Sequence, residues 1–367
     1  MKTGKAAIFT KPREPFVIKE LPIPEVMPGA ILVKLSMSNI CGSDVHAWKG
    51  ETRRGGGEGE YILGHEMVGR VYQLGEGVVA DSLGQPLKEG DRVVYPYWTN
   101  CQHCFFCLSG RDSRLCPNKT RAGDSPAVAP NYFNGAFAEY FYLNRGHHVF
   151  KVPDELSDEM VSPVNCAISQ VMFALWDAGC RLGDKVVIQG AGGLGVAAAT
   201  AAKEMGAGLV VVIDKFASRL NAAREFGADV MVSMEEFPTT RDRVREIRKL
   251  TNGPGADIVL EVAGKAAVVE EGITMVRSGG KYVWIGAIAN EDKAEIETLR
   301  VIGANRTIIG YAWYEPWIMP KALDLMVKTR DKYPWAGLVT KFRLEDINEA
   351  FVKSDIGEVN RAAISFD

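Results

Sequence analysis

Four cysteines fall within sixteen residues, Cys101, Cys104, Cys107 and Cys116. This C-x2-C-x2-C-x8-C run restricts the chain more than any other feature, because thiolates so spaced can close around one tetrahedral ion. Zn²⁺ is the metal such a site usually holds. Four sulfurs fill every coordination position, so the ion is a structural clamp and the chemistry must lie elsewhere. The alternative, two disulfides in a secreted loop, suits short chains with secretory leaders. This chain has 367 residues and starts MKTGKAAIFTKPREP, with no apolar stretch ahead of its charged, proline-rich run, so no leader is expected. Seven cysteines, an odd number with four clustered, fit a reducing cytoplasm in which thiols serve metals.

The length suggests two domains. A net charge of -3 supplies no general attraction for nucleic acid or anionic membrane, and no apolar run approaches the roughly 20 residues of a membrane helix. The first part of the chain is rich in Gly, Pro and short β-type runs, Ile31–Leu35, Met67–Leu74, Arg92–Val94 and Phe137–Leu143, which predicts a mostly β domain. Beyond about residue 168 the texture changes. Apolar runs Val186–Ile188, Leu209–Ile213, Ile258–Val262 and Lys281–Ile285 alternate with helical stretches Leu194–Met205 and Ala217–Phe226. Strands spaced by helices of this length predict βαβ units on a parallel sheet. After about residue 310 the alternation stops. There a helix opening near Pro320, with Ala322, Leu325 and Met326 on one face, and a second at Glu345–Val352 are expected.

Lys185-Val-Val-Ile-Gln-Gly-Ala-Gly-Gly-Leu-Gly195 reads as a strand running through G-x-G-x-x-G into a helix. Gly190 permits the tight turn, Gly192 lets backbone approach a pyrophosphate, and Gly195 allows close helix–strand contact. Gly193 and Leu194 supply amides at the helix start, facing the phosphates. The next strand ends in Asp214, whose carboxylate can accept from both adenosine ribose hydroxyls and would repel the 2′-phosphate of NADP. NAD is therefore the expected cofactor, with Lys215 solvated or against the adenosine.

Cys41, in Cys-Gly-Ser-Asp-Val-His46, and His65, in Gly-His-Glu66, lie on separate loops, and Cys166 lies where the β domain hands over to the nucleotide domain. Together the three would leave a fourth tetrahedral position for water or substrate, the arrangement of a catalytic zinc. Singly, a buried cysteine is ordinarily a small hydrophobe and one histidine is usually just hydrogen-bonded.

The combination of CGSD-x-H, GHE, the four-cysteine lobe, Cys166, GAGGLG and Asp214 resembles the zinc-dependent medium-chain alcohol dehydrogenases over essentially the whole chain. The resemblance implies an α/β architecture. A GroES-like β-rich catalytic domain would cover residues 1–167 and 310–367, with the zinc lobe at about 98–118. A Rossmann doubly wound coenzyme domain would cover 168–309. It implies that Cys41, His65 and Cys166 bind the catalytic zinc, giving two zincs per chain. Asp44 would hold the second nitrogen of His65, and Glu66 would lie near the metal. Ser43 and His46 would form a proton relay, and Arg361 would contact the pyrophosphate. A homodimer or homotetramer is expected. Cys107 and Cys116 are separated by eight residues where many relatives have seven, and Ala80–Leu87 and Gly123–Asn134 are longer than usual.

Ser43 is short, can both donate and accept, and stands two residues from a ligand, so it can take the alcohol's proton. His46 suits exchange with bulk water. The expected reaction moves a hydride between a primary, secondary or polyol alcohol and NAD⁺. Trp48, Tyr97 and Trp98 beside the ligand loops hint at bulky or cyclic substrates. A zinc-free enoyl or quinone reductase of the same fold, or a non-catalytic nucleotide-binding relative, is the alternative. His103 could compete as a ligand in the lobe, His147 and His148 read as surface residues, and Lys281–Ile285 reads as a strand near a sheet edge that could pair across subunits.

Overall fold

Lys185–Gln189 is buried at every position after its first residue, as a strand covered on both faces must be. It is the centre of a six-stranded sheet in the computed structural model, which describes residues 2–52, 59–109, 112–128, 131–286, 289 and 293–366. The spatial order is Val230–Ser233, Leu209–Asp214, Lys185–Gln189, Ala256–Glu261, Val276–Trp284 and Thr307–Gly310, all parallel. In chain order this is 3-2-1-4-5-6, the doubly wound arrangement whose switch point lies at the first strand. Helices Gly193–Glu204 and Ala217–Glu225 stand where the alanine-rich stretches predict them. Val276–Trp284, which covers most of the Lys281–Ile285 run, lies next to the sheet edge, and the edge strand itself is Thr307–Gly310. Its four residues, none of them buried, are too few to read as a strand.

The chain divides into two compact units, Met1–Cys166 with Glu315–Asp367, and Ala167–Tyr314. In the first unit, Ile31–Asn39 pairs along one edge with Glu66–Leu74. Its other edge is shared: residues 31–34 pair with Tyr140–Leu143, and residues 37–39 with the C-terminal strand Arg361–Ser365. Val339–Arg343 then adds in parallel to Arg361–Ser365. The tail thus completes the sheet begun by the N-terminal segment, which local sequence pattern does not show. Helix Ile347–Ile356 locks it down. Its Phe351 ring lies 4.7 Å from Phe16 and 5.5 Å from Phe137, centroid to centroid.

Helix Ile318–Thr329 includes Pro320 in its first turn, and its buried face is Ile318, Met319, Ala322, Leu323 and Met326. Leu325 is half-buried, so the apolar stripe lies nearer the Leu323 side than the sequence suggests. The Ala80–Leu87 stretch is organised by Asp81, whose carboxylate accepts the Leu83 and Gln85 amides at 2.9 Å each and the Lys151 amide at 3.2 Å.

Candidate active site and metal centres

Helix Gly42–Trp48 begins directly after Cys41. Asp44 Oδ2 accepts the Cys41 N–H at 3.1 Å, satisfying an amide that a helix start otherwise leaves unpaired. Its other oxygen lies 3.0 Å from His65 Nδ1, and both side chains are buried. With Nδ1–H donated to the carboxylate, His65 Nε2 keeps its lone pair and is the acceptor facing Cys166 Sγ at 3.4 Å and Ser43 Oγ at 3.5 Å. Cys166 lies in a single π-helical turn, Val164–Ile168, a geometry frequent at functional sites. Asn165 beside it donates to the carbonyls of His65 and Tyr95, at 3.1 Å each, and so ties the turn to the His65 loop. The ligand atoms of Cys41, His65, Glu66 and Cys166 all lie within 4.8 Å of one another.

Burial opposes charging the His65 ring, yet Asp44 outweighs it and raises the imidazole pKa to about 9. Burial pushes Glu66 up to about 7 against the pull of Arg361. The Cys166 thiol, bonded to Cys41, holds Cys41 well below the ordinary thiol range, and the same bond pushes Cys166 up. Glu66 Oε2 is taken by Arg361 and by Asn39 at 3.3 Å. Glu66 Oε1 is buried with no hydrogen-bond partner among the described residues, an arrangement costly in a protein interior. Two thiols, an oriented imidazole and an unsatisfied carboxylate oxygen fit a borderline-soft divalent cation such as Zn²⁺.

The four-cysteine lobe tells the second metal story. Cys101 and Cys104 Sγ each lie between 3.5 and 4.0 Å from Cys107 and from Cys116 Sγ. A tetrahedron of ~2.3 Å Zn–S bonds has edges of about 3.8 Å, so the lobe fits one ion closed on all sides. His103 is exposed and outside this cluster. The Cys101 thiol is pulled down to about 6 by the His103 amide, while burial pushes Cys107 up to about 12. His147 and His148 are half-buried rather than surface residues. The His147 ring packs edge-on against Tyr95 and bonds the Pro96 carbonyl at 2.7 Å.

In the second unit, helix Gly193–Glu204 is capped at Gly192. A Cβ on Gly195 would lie 1.9 Å from the Gly190 carbonyl oxygen, whereas one on Gly192 would meet nothing within 4 Å. Gly195 is thus required by packing, and Gly192 borders the open space that a pyrophosphate needs. Asp214, at the end of the adjacent strand, accepts from Ala191 N at 2.7 Å and from Phe216 N at 2.9 Å. Lys215 and Arg219 both stack on the Phe216 ring, at 4.6 and 4.9 Å from its centroid.

Arg361 is paired with Glu66 in the first unit. Its five donors leave others for a phosphate. Trp48 packs on Phe351 at 5.9 Å and donates to the Glu14 carbonyl, whereas the Tyr97 ring meets the His65 ring at 5.0 Å. Asn39, Asn165 and Glu51, the last on His46 Nδ1 at 2.6 Å, were not legible from motifs. Only the i, i+5 spacing of His46 and Glu51 offered a signal.

Residues 27–154 match the family model described as alcohol dehydrogenase GroES-like domain, and residues 193–328 match that described as zinc-binding dehydrogenase. The chain is 32% identical to 5-exo-hydroxycamphor dehydrogenase of Pseudomonas putida over 90% of both chains. It is also 32% identical to an alcohol dehydrogenase of Geobacillus stearothermophilus over 97% of both. The crystal structure of an alcohol dehydrogenase from Thermotoga maritima superimposes with a TM-score of 0.93, at 28% identity and 100% coverage of each chain. Two such relatives spanning nine-tenths or more of the chain, on a fold that sets a mixed thiol–imidazole cluster in one unit and a glycine-rich phosphate turn in the other, show that the chain belongs to the zinc-dependent medium-chain alcohol dehydrogenase family.

Proposed function

We propose that this protein oxidises a small-molecule alcohol to an aldehyde or ketone with NAD⁺, and reduces the carbonyl in the reverse direction. The observation that carries this reading is the buried convergence of Cys41, His65, Glu66 and Cys166 ligand atoms within 4.8 Å. A zinc held there would supply Lewis acidity toward the alcohol oxygen, and NAD⁺ would accept the hydride. Cys41, His65 and Cys166 are the proposed ligands, oriented through Asp44. Glu66, with one unsatisfied oxygen, stands ready as an alternative donor and is steadied by Arg361. Ser43, 3.5 Å from His65 Nε2, takes the alcohol's proton, and His46 carries it toward solvent. Arg361 also contacts the pyrophosphate through donors that Glu66 does not use.

Gly190, Gly192, Gly193, Leu194 and Gly195 form the proposed phosphate cradle, and Asp214 takes the adenosine ribose hydroxyls, selecting NAD over NADP. Lys215 lies against the adenosine. Two zincs per chain are proposed, the second closed in by the four-cysteine lobe. The exposed edge strand Thr307–Gly310 favours a homodimer or homotetramer, since an unpaired edge is a ready pairing surface. Seven free cysteines favour the cytoplasm. No helix among the described residues is long and apolar enough to cross a membrane.

A zinc-free enoyl or quinone reductase would have no use for either cysteine cluster. Metal analysis of the purified protein, with an alcohol panel followed by reduced-nicotinamide absorbance, tests the proposal. Two zincs and NAD-linked turnover of at least one alcohol are expected. A protein without zinc that reduces enones would overturn it, and one with zinc but no turnover on any alcohol would point to a non-catalytic relative.

A further inference from the structure

Helix Gly42–Trp48 ends in a way that binds His46 twice. Gly50 adopts a left-handed φ of 77°, and its N–H bonds the Ala47 carbonyl at 3.0 Å, while the Glu51 N–H bonds the His46 carbonyl at 2.9 Å. These two bonds, from the first and second residues past the Lys49 cap, define a Schellman ending. Such an ending brings the side chain after the glycine over the third-last helical residue, where an apolar pair is usual. Here the pair is Glu51 and His46, and Glu51 Oε2 lies 2.6 Å from His46 Nδ1. The other carboxylate oxygen faces Lys49 Nζ at 3.5 Å, and Lys49 is held by Asp355 of helix Ile347–Ile356 at 3.1 Å. The carboxylate is therefore pinned by its own backbone, by a lysine and by the helix end. A Cβ on Gly50 would lie 2.9 Å from the Pro12 Cβ, so the turn is sterically specified as well as conformationally.

We infer that Glu51 is a positioning residue for proton transfer, fixing His46 as the tautomer with Nδ1–H donated to the carboxylate and Nε2 open as the proton acceptor. An imidazole has one donor and one acceptor nitrogen when neutral, and the group bonded to one decides the role of the other. During alcohol oxidation the proton released from the carbinol arrives at Nε2, making an imidazolium whose charge faces the Glu51 carboxylate. The same proton then leaves to water and the original tautomer is restored. No net charge accumulates, and the hydride goes to NAD⁺. The inference rests on the reading of His46 as the proton carrier. Its geometric part, the tautomer, stands independently of that reading.

Two measurements on the full-length protein test it. In ¹⁵N-histidine spectra at alkaline pH, with the His46 signals identified by their loss in His46→Asn, the wild type is expected to show a protonated Nδ1 and an unprotonated Nε2. Glu51→Ala is expected to move the ring toward the opposite tautomer. Gly50→Ala, which disturbs the turn while keeping the carboxylate, should do the same in part. In steady-state kinetics, Glu51→Ala is expected to lower kcat for alcohol oxidation about tenfold, a fraction of the ~10²–10⁴ that a positioned proton-transfer group supplies. KM for NAD⁺ should be unchanged, Glu51→Asp should restore part of the loss, and added imidazole buffer should restore more. In a His46→Asn background, Glu51→Ala should have no further effect. An unchanged tautomer in Glu51→Ala, or an equal kcat loss with and without His46, overturns the inference. Full activity of His46→Asn would instead remove the relay reading, with the tautomer result still deciding what Glu51 does.

Discussion

Replacing Asp214 by Asn tests cofactor choice and local stability in one variant. The carboxylate accepts two backbone amides, Ala191 N at 2.7 Å and Phe216 N at 2.9 Å, one on each oxygen. An asparagine has one acceptor oxygen, so its amide nitrogen must face an N–H that it cannot satisfy. Losing one charge-assisted bond costs about 1.5–3 kcal/mol, and for a chain of 367 residues that is about 2–4 °C in Tm. With Asp214 in its proposed role, the same substitution removes a negative charge that would stand beside the ribose 2′ position. A unit charge pair at ~4 Å with an effective dielectric constant of ~20 is worth about 4 kcal/mol. Even half of that, after solvent screening, is about thirtyfold in kcat/KM. The wild type is therefore expected to favour NAD over NADP by thirtyfold or more. Asp214→Asn should melt earlier without cofactor and should bring the preference below about threefold. Melting by fluorescence and kcat/KM with each cofactor at one fixed alcohol concentration measure both effects. A variant that keeps its full NAD preference would show that Asp214 does not discriminate the cofactors. One that keeps its Tm would show that the amide clamp contributes nothing to the fold. Lys215→Ala is the control: its side chain is stacked on Phe216, and removing it should leave the NAD preference standing.

Asp44→Asn leaves His65 with a weaker partner and should weaken zinc retention at the mixed cluster by about 10–100-fold, read by competition with a chelator, while the lobe keeps its metal. Cys107→Ser should lower the zinc content by one per chain and speed thermal inactivation before it affects initial rates. In the second unit, Arg243 and Glu271 are both buried and joined by two bonds of 2.6 and 2.7 Å. Arg243→Met strands the carboxylate and should cost about 3–5 kcal/mol in urea unfolding. Burial lowers the His147 pKa from its usual 6.5 to about 4. The unfolded chain thus takes up that proton first, and stability present above pH 6.5 should fade as pH drops toward 4, by up to about 3 kcal/mol. His147→Gln should flatten that part of the urea-midpoint profile, leaving a smaller slope of the same sign from His148, which burial also lowers.

Much of the site was legible because its chemistry is local. The spacing of Cys101, Cys104, Cys107 and Cys116 is a property of one short segment. So is the strand, turn and helix around Gly190–Gly195, where Gly195 answers the Gly190 carbonyl five residues back. Cys41 and Asp44 share one helix start, and the bond between them, three residues apart, came from the structure. The partners of Glu66 were not legible. Arg361 lies 295 residues away in sequence, and it reaches Glu66 because the C-terminal strand pairs with residues 37–39. Asn165 and the π-helical turn carrying Cys166 leave no periodic trace, since one extra residue per turn is invisible to a helical pattern. The edge strand was not legible for a related reason: Thr307–Gly310 takes its strand conformation from pairing with Lys281–Trp284, and its two isoleucines are too short an apolar run to mark a strand.

Residue types and short spacings alone determined that this chain carries a four-cysteine cluster and a glycine-rich strand–turn–helix, because the atoms involved meet through a few rotatable bonds. Tertiary structure decided everything that depends on distant segments arriving together. It set Cys41, His65, Glu66 and Cys166 around one buried point, gave one Glu66 oxygen an arginine, and drew the tail into the first sheet. The physical reason is that ladder pairing and burial are long-range and cooperative, whereas a sequence motif reports only what its own few residues can reach.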